Sequence, residues 1–281
     1  MAGSMIINTN LASINSQRML DKTNNDLKTS MERLSSGLRV NSAKDDAAGL
    51  AISNKMTSQI RGMTVATRNA NDGISLAQTA EAAMGTLTDT MQRMRDLAVQ
   101  SANDAGVTSS DREKIQTEFK QLNDELTRII SNTEFNGKKI INGSLSGGLV
   151  IQVGANTAAD NHISVDIANL STTISNVTTA SIGSNAGPGG ASAAIDAIDA
   201  AIANIDTSRA NLGAIQNRFT TTISNLQSSI ENQSAARSRI TDADFAMETA
   251  SLSRNQILQQ AGTAMLAQAN QSSQSVLKLL Q

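Results

Sequence analysis

Two long stretches of helical spacing constrain this chain more than any other feature of its sequence. The first runs from about Ala47 to Asn103 without proline. Its small and flexible apolar residues recur every three or four positions: Ala77, Ala80, Met84, Leu87, Met91, Met94 and Ala98. This spacing is typical of a coiled-coil seam. A helix of about 55 residues is about 80 Å long at 1.5 Å per residue, so the sequence predicts an elongated molecule.

The second stretch lies in the C-terminal half and has the same spacing. Its apolar positions are Ile195, Ile198, Ile202, Ile205, Leu212, Phe219, Ile223, Leu226 and Ile230. Arg209 and Gln216 occupy two seam positions, and polar seam residues usually fix the register of a helix pair. A shorter helix follows the first stretch, with Ser110 as its predicted N-cap and Glu113 at capping-box spacing. Its apolar positions are Ile115, Phe119, Leu122, Leu126 and Ile129.

The middle of the chain changes from helical to extended character. Asn136-Gly137 and Asn142-Gly143 are turn-forming pairs. Residues 149–154 and 162–167 have the composition of two short strands, so we expect a β-hairpin. The region 170–190 is rich in Ser, Thr, Asn and Gly and contains the single proline, which predicts a surface loop.

Each end of the chain carries a thin apolar stripe of helical spacing on a polar background. A single helix of this kind is marginally stable in water, so both ends need partners. Repetition of the paired ends around an axis would bury the stripes and build an open helical polymer. The predicted polymerisation residues are Leu20, Leu27, Met31, Leu34, Leu38, Leu252, Leu258, Met265, Leu277 and Leu280.

The predicted fold is mainly α: an elongated antiparallel helical bundle or coiled coil with a small β-hairpin region, in which the N- and C-terminal helices pair. Residues 1–44 and 237–281 would be the two parts of an inner terminal-helix domain. Residues 45–189 would be the N-terminal part of a rod domain, with a long helix, a shorter helix, the hairpin and a loop. Residues 190–236 would be its C-terminal helix.

The inventory of reactive side chains argues against an enzyme. The chain has no Cys, and its single His, His162, lies in the predicted hairpin. A general base or a metal site would need carboxylates, and the closest candidates are Asp45-Asp46 and Asp242/Asp244, with Asp244 able to share a helix face with Glu248 and bind a cation. We interpret these residues instead as charges at helix N-termini, which the helix dipole favours. We therefore expect no catalytic residues, no metal and no cofactor.

Charge and hydropathy also limit the partners. A net charge of −2 gives no basic field for nucleic acid or for an anionic membrane. No segment approaches the roughly 20 apolar residues of a membrane span, so we expect no membrane insertion. The first twenty residues lack the pattern of an ordinary secretory signal, so we expect any export to use another route.

Several motifs resemble those of one protein family, the bacterial flagellins. Residues 34–52, LSSGLRVNSAKDDAAGLAI, preceded by Ile7-Asn-Thr-Asn10, are similar to the N-terminal flagellin signature. Residues 238–246, SRITDADFA, and 261–270, AGTAMLAQAN, are similar to the C-terminal one. Residues 135–139, FNGKK, and 151–154, IQVG, resemble its hairpin region.

The resemblance implies a structural subunit that polymerises into the extracellular bacterial flagellar filament for swimming motility. It would be secreted by the flagellar type III apparatus, with the terminal helices forming the inner tube of the filament. The region 145–190 is too short to hold the outer domains that flagellins usually carry there, so the chain resembles a short form. Implied partners are other copies of the chain, the flagellar export chaperone on 242–281, and the cap and hook-junction proteins.

The resemblance also implies a ligand of the innate immune system. Residues 91–100, MQRMRDLAVQ, are similar to the flagellin segment that an animal Toll-like receptor recognises. The residues that match its contact positions are Gln92, Arg93 and Leu97, with Glu118 on the neighbouring helix. Arg93 and Leu97 are four residues apart and are expected to share one helix face. Selection for packing against the next subunit would explain the same face.

Two alternatives to a filament subunit remain open from the sequence. A hook–filament junction protein shares the terminal helices but caps the filament instead of extending it. A secreted coiled-coil adhesin or effector would have the helices without polymerising. The long motifs at both ends favour the filament subunit.

Overall fold

A computed structural model describes residues 9–145, 147–184 and 187–278, the last seven of these for their backbone alone. The predicted mainly α fold is confirmed. The helices are α1 Leu11–Ser36, α2 Ala47–Ser101, α3 Ser109–Asn132, α4 Leu170–Thr173, α5 Ser175–Thr178, α6 Gly187–Thr241 and α7 Phe245–Lys278. The strands are β1 Glu134–Phe135, β2 Lys138–Lys139, β3 Leu149–Gln152 and β4 His162–Val165. No helix in the described ranges is long and apolar enough to cross a membrane.

The chain divides into two compact units. One unit consists of residues 1–58 and 232–281, and the other consists of residues 59–231. We call them the terminal unit and the central unit. Helices α2 and α6 contribute residues to both. The domain boundaries at 44, 189 and 236 expected from the sequence stay a prediction.

The core of the central unit is built on the apolar seam that the spacing of the first long stretch predicts, and this stretch is helix α2. All seven α2 positions of that seam are fully buried, with 0% exposure: Ala77, Ala80, Met84, Leu87, Met91, Met94 and Ala98. On α3, Phe119 and Leu126 are buried, as predicted. On α6, the buried seam residues are Ile198, Ile205, Leu212, Phe219 and Leu226.

Polar contacts show that α2 and α6 run antiparallel in the central unit. Gln216 Nε2 donates to Glu81 Oε2 at 2.9 Å, and Arg95 Nε donates to Asp199 Oδ1 at 2.7 Å. Arg95, nearer the C-terminal end of α2, therefore contacts Asp199, nearer the N-terminal end of α6. Gln216 is the polar seam residue predicted to fix the register, and its amide reaches across to the partner helix.

Close packing of this seam depends on small residues as well as on large ones. A Cβ atom on Gly73 of α2 would lie 2.8 Å from Phe219 Cζ and 2.7 Å from Ile151 Cδ1. Neither distance is compatible with an added methyl group, because interiors are packed to near-crystalline density. Phe219 of α6 and Ile151 of β3 thus both occupy the space that the missing side chain leaves.

The predicted β-hairpin is confirmed, and a second, smaller one precedes it. Strands β3 and β4 pair antiparallel with Leu149 opposite Val165 and Gln152 opposite His162. Strands β1 and β2 flank Asn136-Gly137, whose φ angles are +50° and +75°. A two-residue turn with positive φ at both positions matches the right-handed twist of the strands, which explains the Asn-Gly pair.

Two local predictions are wrong. The α3 helix begins one residue before Ser110, and its N-cap is Thr108, whose hydroxyl oxygen accepts from the backbone N–H of Asp111 at 3.3 Å. Thr108 and Asp111 therefore form the cap, and Glu113 instead accepts from the backbone N–H of Ser184 at 2.9 Å.

The region 170–190 is not a simple surface loop. It contains α4, α5 and the start of α6, and it buries Leu170, Ile174, Val177 and Ile182 in the core. The loop prediction followed from the polar composition of the segment. Its four buried apolar residues nevertheless recur every three to five positions. The proline lies in the first turn of α6, where its missing N–H costs no helical hydrogen bond.

Because the central unit holds nearly all of the buried apolar side chains, we predict that residues 59–231 fold on their own. We expect cooperative loss of helical circular dichroism on heating, with a midpoint within about 4 °C of the corresponding transition in the full chain, since such a shift corresponds to about 1 kcal/mol. The substitution Phe119→Ala should destabilise the fragment by about 3–5 kcal/mol. A fragment that is unfolded at 25 °C would contradict this division of the chain.

Candidate assembly surface on the terminal helices

The terminal unit is built on the pairing of α1 with α7, which run antiparallel as predicted. Asn10 Nδ2 donates to the carbonyl oxygen of Ala269 at 3.0 Å. Further along, Gln259 Nε2 donates to Asn24 Oδ1 at 2.8 Å. Polar side chains thus set the register at two points, about four turns of helix apart.

The apolar contact between the two helices is thin. A Cβ atom on Gly262 would lie 3.2 Å from Leu20 Cδ1, so the leucine lies almost against the α7 backbone. The buried residues of α1 are two serines, Ser13 and Ser30, and no described side chain of α7 is buried. The pair therefore lacks the buried apolar core that stabilises the central unit.

Most of the exposed apolar side chains among the described residues lie on this helix pair. Those of α1 are Leu11, Ile14, Met19 and Met31, which are 53–64% exposed. Those of α7 are Phe245, Met247, Ile257, Leu258 and Met265, which are 48–71% exposed. The corresponding residues of the central unit are Val65, Val99 and Val150, which are smaller and scattered. A concentration of exposed apolar side chains on one part of a protein is typical of an interaction site.

The predicted polymerisation residues fall into three groups. Met31, Leu258 and Met265 are exposed, whereas Leu20, Leu27, Leu34, Leu38 and Leu252 are partly buried. Leu280 lies outside the described residues, and the structure describes the backbone of Leu277 but not its side chain. Among the partly buried leucines, Leu20 lies against α7 at Gly262, and the part of the whole set in polymerisation stays a prediction.

Sequence reasoning missed six of the exposed apolar residues: Leu11, Ile14, Met19, Phe245, Met247 and Ile257. It followed a single repeating stripe on each helix, and these residues lie off that stripe. A helix that uses one side to hold its neighbour and another side for further partners needs two apolar faces. The sequence signal that could have identified these six residues is that they are apolar and lie outside the main repeat of each helix.

An open groove of about 460 Å³ runs between α1 and α7. Its lining combines Met19 and Leu20 of α1 with Leu258, Gly262 and Met265 of α7. Three of these side chains are exposed and flexible, so the groove presents an adaptable apolar surface.

The two breaks in the helical chain meet beside this pair. Gly37 ends α1 with a φ of +71°, a left-handed conformation that glycine adopts without strain. The backbone N–H of Arg39 then donates to the carbonyl oxygen of Thr241 at 2.7 Å, and that of Ala243 donates to Gly37 at 3.0 Å. The α1–α2 and α6–α7 connections are thus hydrogen-bonded to each other.

Asp45 stabilises the first of these connections. Its carboxylate accepts from the backbone N–H and the hydroxyl of Ser42, at 2.8 and 2.9 Å, and from the N–H of Asn41 at 3.2 Å. The hydrogen bonds from Ser42 lower the pKa of Asp45 below its usual value of 3.8. A lowered pKa means that this contribution to stability is complete at neutral pH and is lost as the pH falls through the folded-state value.

Two of the acidic candidates, Asp46 and Asp244, act as helix caps. Asp46 Oδ1 accepts from the N–H of Gly49 at 2.8 Å in the first turn of α2. Asp244 Oδ1 accepts from the N–H groups of Ala246 and Met247 at 2.9 and 3.2 Å at the start of α7. Within the described residues, no three His, Cys, Asp or Glu side chains are grouped so that they could hold a metal ion.

The residues matched to the receptor-binding segment lie in the central unit. Arg93 of α2 donates from Nε and Nη2 to Glu118 Oε1 of α3, at 3.1 and 2.7 Å. Gln92 is exposed beside Arg93, but Leu97 is only 2% exposed. Leu97 is therefore buried in the core and is not displayed beside Arg93 on the surface, and the assignment of these four residues to a receptor site stays a prediction.

Comparisons with known proteins relate both ends of the chain to one family. Residues 7–145 match the bacterial flagellin N-terminal helical region, and residues 195–280 match the bacterial flagellin C-terminal helical region.

Individual relatives match over their whole length. A flagellin of Halalkalibacterium halodurans is 45% identical over 276 residues, which cover 98% of this chain and 100% of that protein. The flagellar filament 33 kDa core protein of Treponema phagedenis is 44% identical over 289 residues, with 98% and 100% covered. The crystal structure of Bacillus cereus flagellin matches with a TM-score of 0.50 and 28% identity, and covers 60% of this chain and 94% of that one.

Proposed function

The chain belongs to the bacterial flagellin family, as a short member of it, and we propose that α1 and α7 are the surfaces through which its copies polymerise. Members of this family are structural subunits of the extracellular flagellar filament, which drives swimming. The role of this family is therefore structural. The proposal concerns which residues of this chain join one copy to the next.

The observation that carries the proposal is the uneven distribution of exposed apolar surface. Nine large apolar side chains of α1 and α7 are exposed. Full burial of one such side chain contributes about 1.5–3 kcal/mol. Nine are enough to offset a cost of association of roughly 4–15 kcal/mol. The terminal unit therefore has much to gain from contact with further copies of itself.

The arrangement favours an open polymer over a closed dimer. The exposed residues lie on both α1 and α7, and on more than one side of each helix, so a single isologous contact would leave part of the surface uncovered. Heterologous contacts between different faces repeat from copy to copy and generate a helical filament. A terminal unit surrounded by copies on several sides would bury the whole apolar surface.

Export and partner binding follow from the same surface. An exposed apolar helix needs protection before it reaches the growing filament, which supports an export chaperone that holds the segment 242–281. The same helices would contact the cap and the hook-junction proteins at the two ends of the filament. Export through the flagellar type III apparatus would deliver the chain to the filament tip.

A junction protein or an adhesin fits less well. Identity of 44–45% with filament proteins extends over their whole length, and it includes both terminal regions. The described residues between β4 and α6 form the two short helices α4 and α5 and no further domain.

Recognition by an animal Toll-like receptor is the second proposal. The Arg93–Glu118 ion pair supports it, because an exposed guanidinium and carboxylate with Gln92 beside them form a specific polar patch. Leu97 would act by holding the backbone of α2 in place below the patch. This surface is formed by α2 and α3 of the central unit, whereas the α1 and α7 residues that carry the assembly proposal belong to the terminal unit.

We predict that a charge in the α1–α7 groove abolishes polymerisation. The substitution Leu258→Asp places a carboxylate where an apolar partner is expected, so we expect loss of filaments in electron micrographs after a salt jump. Leu258→Met keeps the apolar character and is the matched control, which should still form filaments. Filaments of normal length from Leu258→Asp would refute the role of this surface.

We predict that Arg93→Ala reduces receptor activation by monomers at least tenfold in a reporter-cell assay, because it removes the polar patch without disturbing the core. Arg95→Ala is a matched control, since Arg95 lies two residues away and makes an equivalent exposed ion pair with Asp199. Equal signalling by Arg93→Ala and the unmodified chain would exclude this patch as the receptor site.

A further inference from the structure

Four methionines of the terminal unit have exposed side chains, and an exposed thioether can be oxidised. We propose that Met19, Met31, Met247 and Met265 are oxidation sites, and that their conversion to methionine sulfoxide by peroxide-type oxidants blocks assembly of the free chain. The inference rests on the proposed role of α1 and α7 in polymerisation, and adds a chemical modification to it.

Among the described residues, the methionines of α1 and α7 are exposed and those of the central unit are buried, while Met56 of α2 is partly buried. Met19 and Met31 of α1 are each 57% exposed, while Met247 and Met265 of α7 are 71% and 64% exposed. In the central unit, the exposure is 7% for Met63 and 0% for Met84, Met91 and Met94. An oxidant in solution therefore reaches the first four directly, whereas the second four are protected as long as the central unit stays folded.

The composition of the chain concentrates oxidation on these residues. The sequence contains no Cys, Trp or Tyr and a single His. The side chains that ordinarily compete for two-electron oxidants are therefore nearly absent. Exposed thioethers are left as the main targets, and all four lie on the proposed assembly surface.

The chemical step is an oxygen transfer. A lone pair of the methionine sulfur attacks one oxygen of hydrogen peroxide, the O–O bond breaks, and the displaced oxygen leaves as water after a proton shift. The sulfur is oxidised by two electrons and the peroxide is reduced by two. The product is a polar, chiral sulfoxide in place of a flexible apolar group, and methionine sulfoxide reductases reverse the change.

The position of the four residues explains why the modification would matter. Met19 and Met265 line the groove between α1 and α7 together with Leu20 and Leu258. Met247 lies in the first turn of α7, two residues after the exposed Phe245. A sulfoxide at such a site carries a strong acceptor into a surface that must lose its water on contact, and an acceptor buried without a donor is costly.

The same reasoning predicts a difference between free and assembled chains. In a filament that buries α1 and α7, the four thioethers are covered by neighbouring copies and lose contact with the oxidant. Oxidation would thus act on subunits before assembly and spare the finished polymer.

The test is oxidation of the full-length monomer with hydrogen peroxide, followed by peptide mass spectrometry and a polymerisation assay. We expect sulfoxide at residues 19, 31, 247 and 265 and little at 63, 84, 91 and 94. We expect the critical concentration for filament formation to rise at least tenfold, while the thermal transition of the central unit is unchanged. Methionine sulfoxide reductases should restore assembly, and filaments treated after assembly should remain largely unmodified.

Two variants make the test specific, each compared with itself before and after treatment. Replacement of all four exposed methionines by Leu should bring the ratio of treated to untreated critical concentration close to one. The matched control, Met84→Leu with Met91→Leu, removes two buried thioethers and should leave the ratio at tenfold or more.

The outcomes separate the two proposals. An untreated natural chain that forms no filaments would refute the role in polymerisation itself. A chain oxidised at all four sites that polymerises at its original critical concentration would refute the oxidation proposal alone. So would equal loss of assembly in the fourfold Leu variant, because the damage would then lie elsewhere.

Discussion

The lack of a buried apolar core between α1 and α7 is the constraint on which the function of this chain depends. The two helices are held by side-chain hydrogen bonds such as that between Gln259 and Asn24, and by a thin contact such as that of Leu20 with Gly262. Such a pair keeps its register but leaves much apolar surface in water. Because isolated helices of this kind are only marginally stable, burial against further copies of the chain adds most to their stability.

The central unit contains the same types of apolar residue, but it buries them within itself. With four Phe and no Trp or Tyr, the chain cannot fill a wide core, and its seam instead combines alanines, methionines and leucines at helical spacing. Gly73 allows Phe219 and Ile151 to approach the α2 backbone closely. The central unit therefore buries its own apolar surface, which is why we expect it to fold without a partner.

Methionine plays a different part in each unit. In the central seam, Met84, Met91 and Met94 are fully buried and fill space between helices. On α1 and α7, the same side chain is exposed, where its flexibility suits contact with several differently shaped neighbours. Its susceptibility to oxidants follows from that exposure and not from the residue type, since burial alone protects the methionines of the seam.

The sequence by itself determined the helices, because their evidence is local. The seam positions of α2 from Ala77 to Ala98 and the hairpin of β3 and β4 were predictable, since spacing, turn residues and strand composition act between near neighbours. The apolar stripe on each terminal helix also indicated that the two chain ends pair, while its use in polymerisation stays a prediction. The family motifs at both ends added the identity of the polymer.

Tertiary structure decided which side chains remain exposed. Leu97 has the spacing of a surface partner for Arg93 but is buried in the core of the central unit. Thr108 replaced Ser110 as the cap, and the polar segment 170–182 buried four apolar residues. The exposure of Phe245, Met247 and Ile257 depends on which side of α7 packs against α1, and the tertiary structure alone gives that. Exposure depends on the elements that pack against a residue from distant parts of the chain, and local spacing carries no record of them.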